Sequence, residues 1–422
     1  MIAPDVIHLD EMGRRAKAAS HQLAVLSTTQ KNDALRRIAG LLEQHTPQIL
    51  AANREDIARA AANGVDPVWI RDRLDLEKRM RGLVADVRRV AELPDPVGRV
   101  YDELEVAPGL RVHKQRVPIG VLGAIYESRP NVTVDVSTLA LKTGNAVILR
   151  GGSDTIATNS ALVEVLRQAL RESGIPDDAM QYIASADRRY VLEMLKLHQY
   201  IDMIIPRGGA SLHDFCREHS SIPVIIGGMG ICHLFVDASA NLPASLEVIA
   251  NAKLQRPAVC NALDTLLVHE QIAAGFLPQV VARLAEAGVQ FRAEPRALAL
   301  VDHPAVSSAG ERDFDTEWMG LTLGLKVVSG LEDAVEHIRA HSTQHSDGIL
   351  TEDAASAERF LNAVDSAVVY WNASTRFTDG SALGLGAEVA ISTQKLHARG
   401  PMALEELTTY KWVVIGQYTS RP

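Results

Sequence analysis

Short apolar segments alternate with helical segments over most of this chain, and no other feature constrains the fold as strongly. Residues 117–126 are almost entirely apolar, as expected of a strand buried on both faces, and a helical segment follows them. The same order of strand, loop and helix recurs up to about residue 218, another strand is predicted to start at 224–226, and the alternation resumes between residues 265 and 371. Such alternation with short connections is typical of parallel sheets with right-handed crossovers. The sequence therefore predicts an α/β fold with a doubly wound first lobe and a second α/β lobe.

Two other segments have a different character. Residues 9–92 carry apolar side chains at helical spacing among charged ones, which predicts a helical lead-in. Residues 104–117 alternate apolar and polar side chains around Pro108 and Gly109, which predicts a β-hairpin. The hairpin is either an arm that pairs with another subunit or an edge of the same domain. Residues 410–415 return to a strand pattern that can pair with it.

Composition excludes several classes of protein. The chain has 422 residues, 47% hydrophobic content and a formal net charge of -9, which suits a large globular core and argues against nucleic-acid and anionic-membrane partners. Residues 1–10 lack the basic and apolar regions of a signal peptide, and no apolar run reaches bilayer length. The 3 cysteines form neither a disulfide framework nor a CxxC metal site. We therefore expect a cytoplasmic protein without a metal.

Cys260 lies between a predicted helix, 246–254, and a short apolar strand, 265–268. Pro257 denies the helix its next backbone donor, so the helix stops just before the cysteine. Connectors of this kind commonly present reactive groups on a rigid scaffold. A small buried hydrophobe is the equally weighted alternative, because free cysteine is among the most buried residue types.

Paired glycines at 151–152 and 208–209 each follow an apolar strand and open a helix. Glycine there lets backbone N–H groups and a helix N-terminus approach an anion such as a nucleotide pyrophosphate. Arg150 and Arg207 add positive charge beside them. Ordinary turn geometry explains either loop taken singly. The two loops together favour a nucleotide site.

Asn131 follows the turn that ends the apolar strand 117–126. Ligands bind beyond the carboxyl ends of strands in open α/β sheets, and an asparagine amide can donate a hydrogen bond to an oxyanion. The alternative role is helix capping after Pro130. Both roles fit the spacing.

Seven long motifs carry a resemblance to a known family. The chain resembles the gamma-glutamyl phosphate reductases, a branch of the aldehyde dehydrogenase superfamily. The motifs include "VPIGVLGAIYESRPNVTVDV" and "NAKLQRPAVCNALDTLLVH", and they occupy residues 117–136, 141–152, 206–212, 251–269, 345–353, 372–380 and 391–411. Their order and their spread over nearly the whole chain make chance similarity implausible.

The resemblance implies three domains. These are a cofactor-binding domain with its helical lead-in at 1–104 and 117–225, a catalytic α/β domain at 226–395, and a β oligomerisation arm at 105–116 and 396–422. It also implies a homo-oligomer, with glutamate 5-kinase as a candidate partner.

The resemblance also implies the site residues. Cys260 is the expected nucleophile, and Asn131 is expected to hold the oxyanion with the backbone N–H of Cys260. The expected cofactor-binding residues are Arg150, Gly151, Gly208, Gly209, Ser211 and Glu317. The candidate cations for the substrate are Arg129, Arg256, Arg376, Arg399 and Lys142.

The implied activity is the NADPH-dependent reduction of L-glutamyl 5-phosphate to L-glutamate 5-semialdehyde and phosphate, through a cysteine thioester, in L-proline biosynthesis. Arg150 near the expected ribose favours NADPH over NADH. Hydrolytic members of the superfamily carry a glutamate base where this chain has Ile225 and Ile226. Neither side chain accepts a proton, so a thioester would persist until phosphate or hydride reaches it. The alternatives are a phosphate-independent aldehyde dehydrogenase that forms a carboxylate, a cofactor-free cysteine transferase, and a catalytically silent subunit.

Overall fold

The computed structural model describes residues 7–421, and the chain divides into two compact units. Unit 1 comprises Met1–Ile226, Leu385–Ala390 and Met402–Pro422, and unit 2 comprises Gly227–Gly384 and Ile391–Pro401. The predictions for the amino terminus and for the outer limits of the first domain and of the arm reach residues 1–6 and 422, which lie outside the described residues.

Unit 1 begins with the predicted helical lead-in. Its helices are α1 (Leu9–Leu23), α2 (Thr28–Gln44), α3 (Thr46–Ala62), the short α4 (Pro67–Trp69), a π-helical turn (Ile70–Leu74) and α5 (Met80–Glu92). A capping box starts α2, because the Ser27 side chain accepts the Gln30 N–H while the Gln30 side chain accepts the Ser27 N–H.

A three-stranded antiparallel sheet follows the lead-in. It consists of β1 (Val100–Ala107), β2 (Leu110–Pro118) and the last strand of the chain, β16 (Thr408–Ile415), with β2 in the centre. The predicted hairpin and its predicted pairing with residues 410–415 are confirmed. The role of this sheet in oligomerisation stays a prediction, as do the three domain assignments.

The main sheet of unit 1 is parallel throughout. Its strands β3 (Val121–Tyr126), β4 (Ala146–Arg150), β5 (Met180–Tyr182) and β6 (Met203–Arg207) are arranged in the order β5-β4-β3-β6. The helices between and after them are α6 (Asn131–Lys142), α7 (Ile156–Glu172), α8 (Arg189–Met194) and α9 (Ala210–His219).

Two predicted strands of unit 1 differ from the structure. The strand predicted at 117–126 begins at Val121, because residues 117 and 118 belong to β2 and Gly120 turns the chain with a φ of 133°. The strand predicted from Val224 is a single bridge between Val224 and Ile204.

Unit 2 contains a seven-stranded parallel sheet in the order β10-β9-β11-β8-β7-β12-β13. In chain order its elements are β7 (Cys232–Val236), α10 (Leu242–Leu254), β8 (Leu263–His269), α11 (Glu270–Ala285), β9 (Gln290–Ala293), α12 (Pro295–Leu298), β10 (Val306–Ser308), β11 (Thr322–Val328), α13 (Leu331–His341), β12 (Ser346–Leu350), α14 (Ala354–Ala363) and β13 (Val368–Trp371). Two short strands, β14 (Ala390–Ser392) and β15 (Gly400–Met402), pair with each other.

The core of unit 2 explains the continuous apolar runs of its strands. Leu234 and Leu266 pack into one apolar cluster, and their neighbours Phe235 and Leu267 pack into a second cluster. Successive side chains of a strand point to opposite faces, so both faces of this sheet are covered. The predicted α/β fold is therefore confirmed. No helix within residues 7–421 has the length and apolar character needed to cross a bilayer.

Candidate active site

Cys260 lies on the connector between α10 and β8, at the amino end of the parallel sheet of unit 2. Its side chain is half-buried and forms no disulfide, whereas the thiols of Cys216 and Cys232 are buried. Partial exposure is what a reactive thiol requires. It distinguishes Cys260 from the buried hydrophobe that the local pattern left open.

The carbonyl group of Cys260 is contacted by the segment that leads into β7 and by the first residue of that strand. The Cys232 thiol donates to the Cys260 carbonyl oxygen at 3.2 Å. A Cβ atom added at Gly230 would lie 1.6 Å from the same oxygen, so only glycine fits at position 230. Neither Gly230 nor Cys232 was predicted to contribute to the site.

Asn261 fixes the other side of the connector. Its Nδ2 donates to the Thr378 carbonyl oxygen at 2.8 Å, and the Thr375 hydroxyl donates to the Asn261 carbonyl oxygen at 2.7 Å. These buried hydrogen bonds join the connector to the segment after β13. The backbone next to the candidate nucleophile is therefore held from two directions.

Two of the predicted substrate cations lie close to Cys260. The Arg376 Nε donates to Gln255 Oε1 at 3.0 Å. Burial lowers the pKa of Arg376, the neighbouring Arg256 lowers it further, and Asp379, Cys260 and Cys232 act in the opposite direction. The Arg376 guanidinium is thus near enough to that of Arg256, and to the Cys260 thiol, to interact electrostatically with both.

Arg399 has a local partner in unit 2. Its guanidinium pairs with the Asp365 carboxylate at 2.6 Å, and Lys395 pairs with the same carboxylate. This ion pair lies just after α14 and gives Arg399 a structural role.

Glu317 is connected to the nucleophile through Gly230. Its carboxylate accepts the Gly230 N–H at 3.0 Å, and burial raises the pKa of Glu317. Gly230 in turn packs on the Cys260 carbonyl. The ribose contact predicted for Glu317 stays a prediction.

A buried ion pair at the start of β8 was not foreseen. The Lys253 ammonium donates to the Leu263 carbonyl oxygen at 2.8 Å and lies 3.5 Å from an Asp264 carboxylate oxygen. Burial raises the pKa of Asp264 to about 7, although Lys253 acts to lower it. The pair supports the strand that follows the nucleophile.

In unit 1, the loops that follow three neighbouring strands meet at the carboxyl end of the parallel sheet. Ile125 of β3 pairs with Arg150 of β4, and Tyr126 of β3 pairs with Arg207 of β6, so these strands end side by side. This end of the sheet brings together most of the site residues predicted for unit 1, namely Arg129, Asn131, Arg150, Gly151, Gly208, Gly209 and Ser211.

Arg150 is a half-buried cation. Its Nη2 donates to the Ala186 carbonyl oxygen at 3.4 Å, and within residues 7–421 its buried Nε has no hydrogen-bond partner. Burial lowers the pKa of Arg150, and Arg188 in the loop before α8 lowers it further. Arg188 was not predicted as a site residue, because its proximity to Arg150 depends on the pairing of β4 with β5. Two adjacent cations suit a phosphate.

The glycine loop before α9 has an acidic neighbour. The Gly209 N–H donates to Glu127 Oε2 at 3.1 Å, and a Cβ atom at Gly208 would lie 2.6 Å from Glu127 Cδ. The amide that the sequence analysis assigned to a pyrophosphate is therefore bonded to a carboxylate of unit 1. This hydrogen bond must be exchanged before a phosphate can bind at Gly209.

Asn131 is the first residue of α6, and its side chain does not cap that helix. Its Nδ2 donates to Asp135 Oδ2 at 2.8 Å. Burial raises the pKa of Asp135 to about 6. The capping alternative for Asn131 is thus replaced by a contact with a carboxylate one turn along the same helix.

Lys142 needs correction as a candidate substrate cation. Its side chain is fully buried, and its Nζ donates to Asn32 Oδ1 at 2.6 Å and to the Ala91 carbonyl oxygen at 3.0 Å. Burial also lowers the pKa of Lys142 to about 8. These contacts join α6 to the helical lead-in, so we do not retain Lys142 as a substrate ligand.

Comparison with known proteins identifies the family. Residues 5–311 match the model of the aldehyde dehydrogenase family. The chain is 56% identical over 416 residues to the gamma-glutamyl phosphate reductase of Enterobacter sp. (strain 638), covering 98% of this chain and 100% of the relative. It is 57% identical to that of Aeromonas salmonicida over 412 residues, covering 97% and 99%.

A solved structure agrees with these relatives. The crystal structure of gamma-glutamyl phosphate reductase from Thermotoga maritima matches with a TM-score of 0.96 and 45% identity, covering 99% of this chain and 100% of that chain. The chain belongs to the gamma-glutamyl phosphate reductase family.

Membership of the gamma-glutamyl phosphate reductase family confirms the predicted resemblance and the predicted class of enzyme, an oxidoreductase of the aldehyde dehydrogenase superfamily. Enzymes of that superfamily use nicotinamide cofactors, and this enzyme acts on a small-molecule substrate. Within residues 7–421 no three His, Cys, Asp or Glu side chains are grouped to hold a metal ion.

In this member of the gamma-glutamyl phosphate reductase family, residues 225 and 226 bear on whether water can be activated. Ile225 is buried and Ile226 is half-buried at the position where the sequence analysis noted a missing glutamate base. Two aliphatic side chains there cannot accept a proton.

Proposed function

We propose that the chain catalyses the NADPH-dependent reduction of L-glutamyl 5-phosphate to L-glutamate 5-semialdehyde and phosphate, in L-proline biosynthesis. Relatives more than 50% identical over nearly the whole chain carry the name of that activity. The observation that carries the proposal is the half-buried thiol of Cys260, which forms no disulfide and lies on a connector near enough to Arg376 to interact with it electrostatically.

The first chemical step is acyl transfer to sulfur. The Cys260 thiolate attacks the γ-carbonyl carbon, and the carbonyl electron pair forms an oxyanion to which the Asn131 amide donates. The oxyanion then re-forms the carbonyl and expels phosphate, which leaves a thioester on Cys260. Arg256 and Arg376 bind the anionic groups of the substrate, because a guanidinium forms charge-assisted hydrogen bonds to phosphate and carboxylate.

The second step requires that water be kept out of the reaction. Ile225 and Ile226 supply no general base, so hydrolysis of the thioester is slow. NADPH, when bound, supplies the hydride that reduces the thioester carbon. Asn131 again stabilises the oxyanion, and its collapse releases the aldehyde and returns the thiolate of Cys260.

Several finer features belong to the same proposal. Arg150 and Arg188 would hold the ribose phosphate that distinguishes NADPH from NADH, Glu317 would hold a ribose, and Gly151, Gly208, Gly209 and Ser211 would hold other parts of the cofactor. The buried Nε of Arg150, which has no hydrogen-bond partner within residues 7–421, supports this assignment. A homo-oligomer, a kinase partner and a cytoplasmic location also belong to the proposal, the last because three cysteines without a disulfide suit a reducing compartment.

Replacing the nucleophile tests this function. Cys260→Ser should lower phosphate-dependent reduction of NADP by glutamate semialdehyde at least about 10³-fold, because a serine hydroxyl is a much weaker nucleophile without an adjacent base. The matched control is Cys216→Ala, which removes a buried thiol from α9 and should keep wild-type turnover.

Three results would contradict the proposal. Full turnover by Cys260→Ser would show that the reaction does not pass through a thioester on Cys260. Equal NADP reduction with and without phosphate would instead indicate a dehydrogenase that forms a carboxylate. A chain that fails to quench NADPH fluorescence would point to a cofactor-free transferase or a silent subunit.

A further inference from the structure

We propose that Asp135 is a positioning residue for Asn131, and that its carboxylate fixes which way the Asn131 amide faces during catalysis. The inference rests on the proposed function, which assigns the oxyanion to Asn131. It adds a residue to which the sequence analysis gave no role.

The geometry joins the two side chains directly. Asn131 and Asp135 are four residues apart on α6, so they lie on the same face of the helix. The Asn131 Nδ2 donates to Asp135 Oδ2 at 2.8 Å, and Asn131 makes no capping hydrogen bond. The first turn of α6 follows β3, at the carboxyl end of the sheet, where Arg150 and Gly209 also lie.

The chemistry of the two groups makes this contact directional. An asparagine amide has a donor side and an acceptor side, whereas an ionised carboxylate can only accept. Only the NH₂ group of Asn131 can therefore face Asp135. One N–H is bonded to the carboxylate, and the other is left to donate elsewhere. Rotating the amide would set two acceptors against each other and lose the hydrogen bond.

An amide in place of the carboxylate would remove this preference. Asparagine at position 135 offers a donor and an acceptor, so either orientation of the Asn131 amide would find a partner. In one of these two orientations, the Asn131 Oδ1 acceptor would face the oxyanion, where a hydrogen-bond donor is needed. Turnover should fall while the fold and cofactor binding are kept.

Protonation of Asp135 should have a similar effect. The charged groups that act on Asp135 are Arg207, at the end of β6, and Asp86, on α5. Arg207 favours the carboxylate and Asp86 opposes it, while burial raises the pKa of Asp135 to about 6. At neutral pH the carboxylate is ionised and accepts from Asn131. Below about pH 6 it gains a proton that it can donate to Asn131 Oδ1, and the preference is lost.

A double-mutant cycle tests the inference in the full-length enzyme. Asn131→Ala should lower kcat about 10²- to 10³-fold, as the loss of an oxyanion donor does. Asp135→Asn, which is close to isosteric, should lower kcat about 10- to 100-fold with an unchanged KM for NADPH. In the Asn131→Ala background, Asp135→Asn should cause no further loss, because its effect passes through Asn131.

Two further readouts exclude a merely structural role. The wild-type kcat should fall as the pH drops through about 6, and Asp135→Asn should lack that limb of the profile. Asp135→Glu keeps the carboxylate and should recover part of the lost turnover. The control Asp86→Asn changes a charge near Asp135 without touching Asn131, and its kcat at neutral pH should be that of the wild type.

The outcomes separate the inference from the proposed function. Additive losses in the double variant, or a wild-type pH profile in Asp135→Asn, would overturn the positioning role and leave the proposed function in place. Unchanged kcat in Asn131→Ala would instead overturn the oxyanion role that the proposed function assigns to Asn131.

Discussion

At the scale of single residues, the proposed preference for NADPH rests on Arg150. Its guanidinium is half-buried at the end of β4, its Nε has no hydrogen-bond partner within residues 7–421, and Arg188 acts on it electrostatically. Two like charges held close together oppose each other until an anion binds between them. A ribose phosphate is such an anion.

Removing this charge should alter cofactor selectivity. Arg150→Gln should raise the KM for NADPH about tenfold and leave the KM for NADH unchanged, because a hydrogen bond to a charged group contributes about 1.5 to 3 kcal/mol. Steady-state kinetics with each cofactor give the ratio of the KM for NADPH to the KM for NADH. The control Arg36→Gln removes an exposed arginine of α2 that pairs with Asp33. Equal loss with NADPH and NADH would contradict the assignment.

At the scale of elements, the connector between α10 and β8 is the part whose shape is most tightly specified. Gly230 packs on the Cys260 carbonyl, and Cys232 donates to the same oxygen. Asn261 is bonded to the segment after β13. Interactions from elements distant in sequence therefore set the backbone that presents the thiol.

Gly230→Ala tests this packing. The added Cβ would lie 1.6 Å from the Cys260 carbonyl oxygen, so the connector must move. A misplacement of about 1 Å can cost about 100-fold in rate, and a comparable loss of turnover is expected. The matched control is Gly275→Ala in α11, where the new methyl group meets nothing within 4 Å and should stabilise the helix by about 0.5–1 kcal/mol. Wild-type turnover in Gly230→Ala would contradict the packing argument.

Local patterns predicted the elements well wherever periodicity alone decides. The helical lead-in, α6, α13 and the parallel strands of unit 2 follow from the spacing of apolar residues. The errors at 117–120 and 224–226 have a different cause. Both segments are apolar enough for a strand, but strand bounds depend on which partner is available for hydrogen bonding, and this is decided by the assembled sheet.

At the scale of the whole molecule, the sheet of β1, β2 and β16 stands out for its exposed apolar side chains. Leu104, Val106, Trp412 and Val414 are more than half exposed, and Lys114 lies over the rings of Tyr410 and Trp412. Apolar surface of this kind on a sheet edge is typical of a protein interface. The predicted role as an oligomerisation arm is consistent with it.

A charged substitution in the arm should change the oligomeric state. Val414→Asp should give a smaller species in sedimentation velocity, because burying an unpaired carboxylate in an interface is costly. The control Val25→Asp alters a valine that is 83% exposed outside the arm, and it should sediment like the wild type. A wild-type sedimentation coefficient for Val414→Asp, or a monomeric wild type, would contradict the arm assignment.

The sequence by itself determined the α/β class, the order of most elements, the family and the candidate nucleophile, because periodicity and long motifs are properties of neighbouring residues. Only the tertiary structure decided the surroundings of those residues. It buried Lys142 against Asn32 and Ala91, brought Arg188 towards Arg150, and set Gly230 on the carbonyl of Cys260. The physical reason is that burial, desolvation and close packing arise between segments far apart in the chain, and local spacing does not encode which of them will meet.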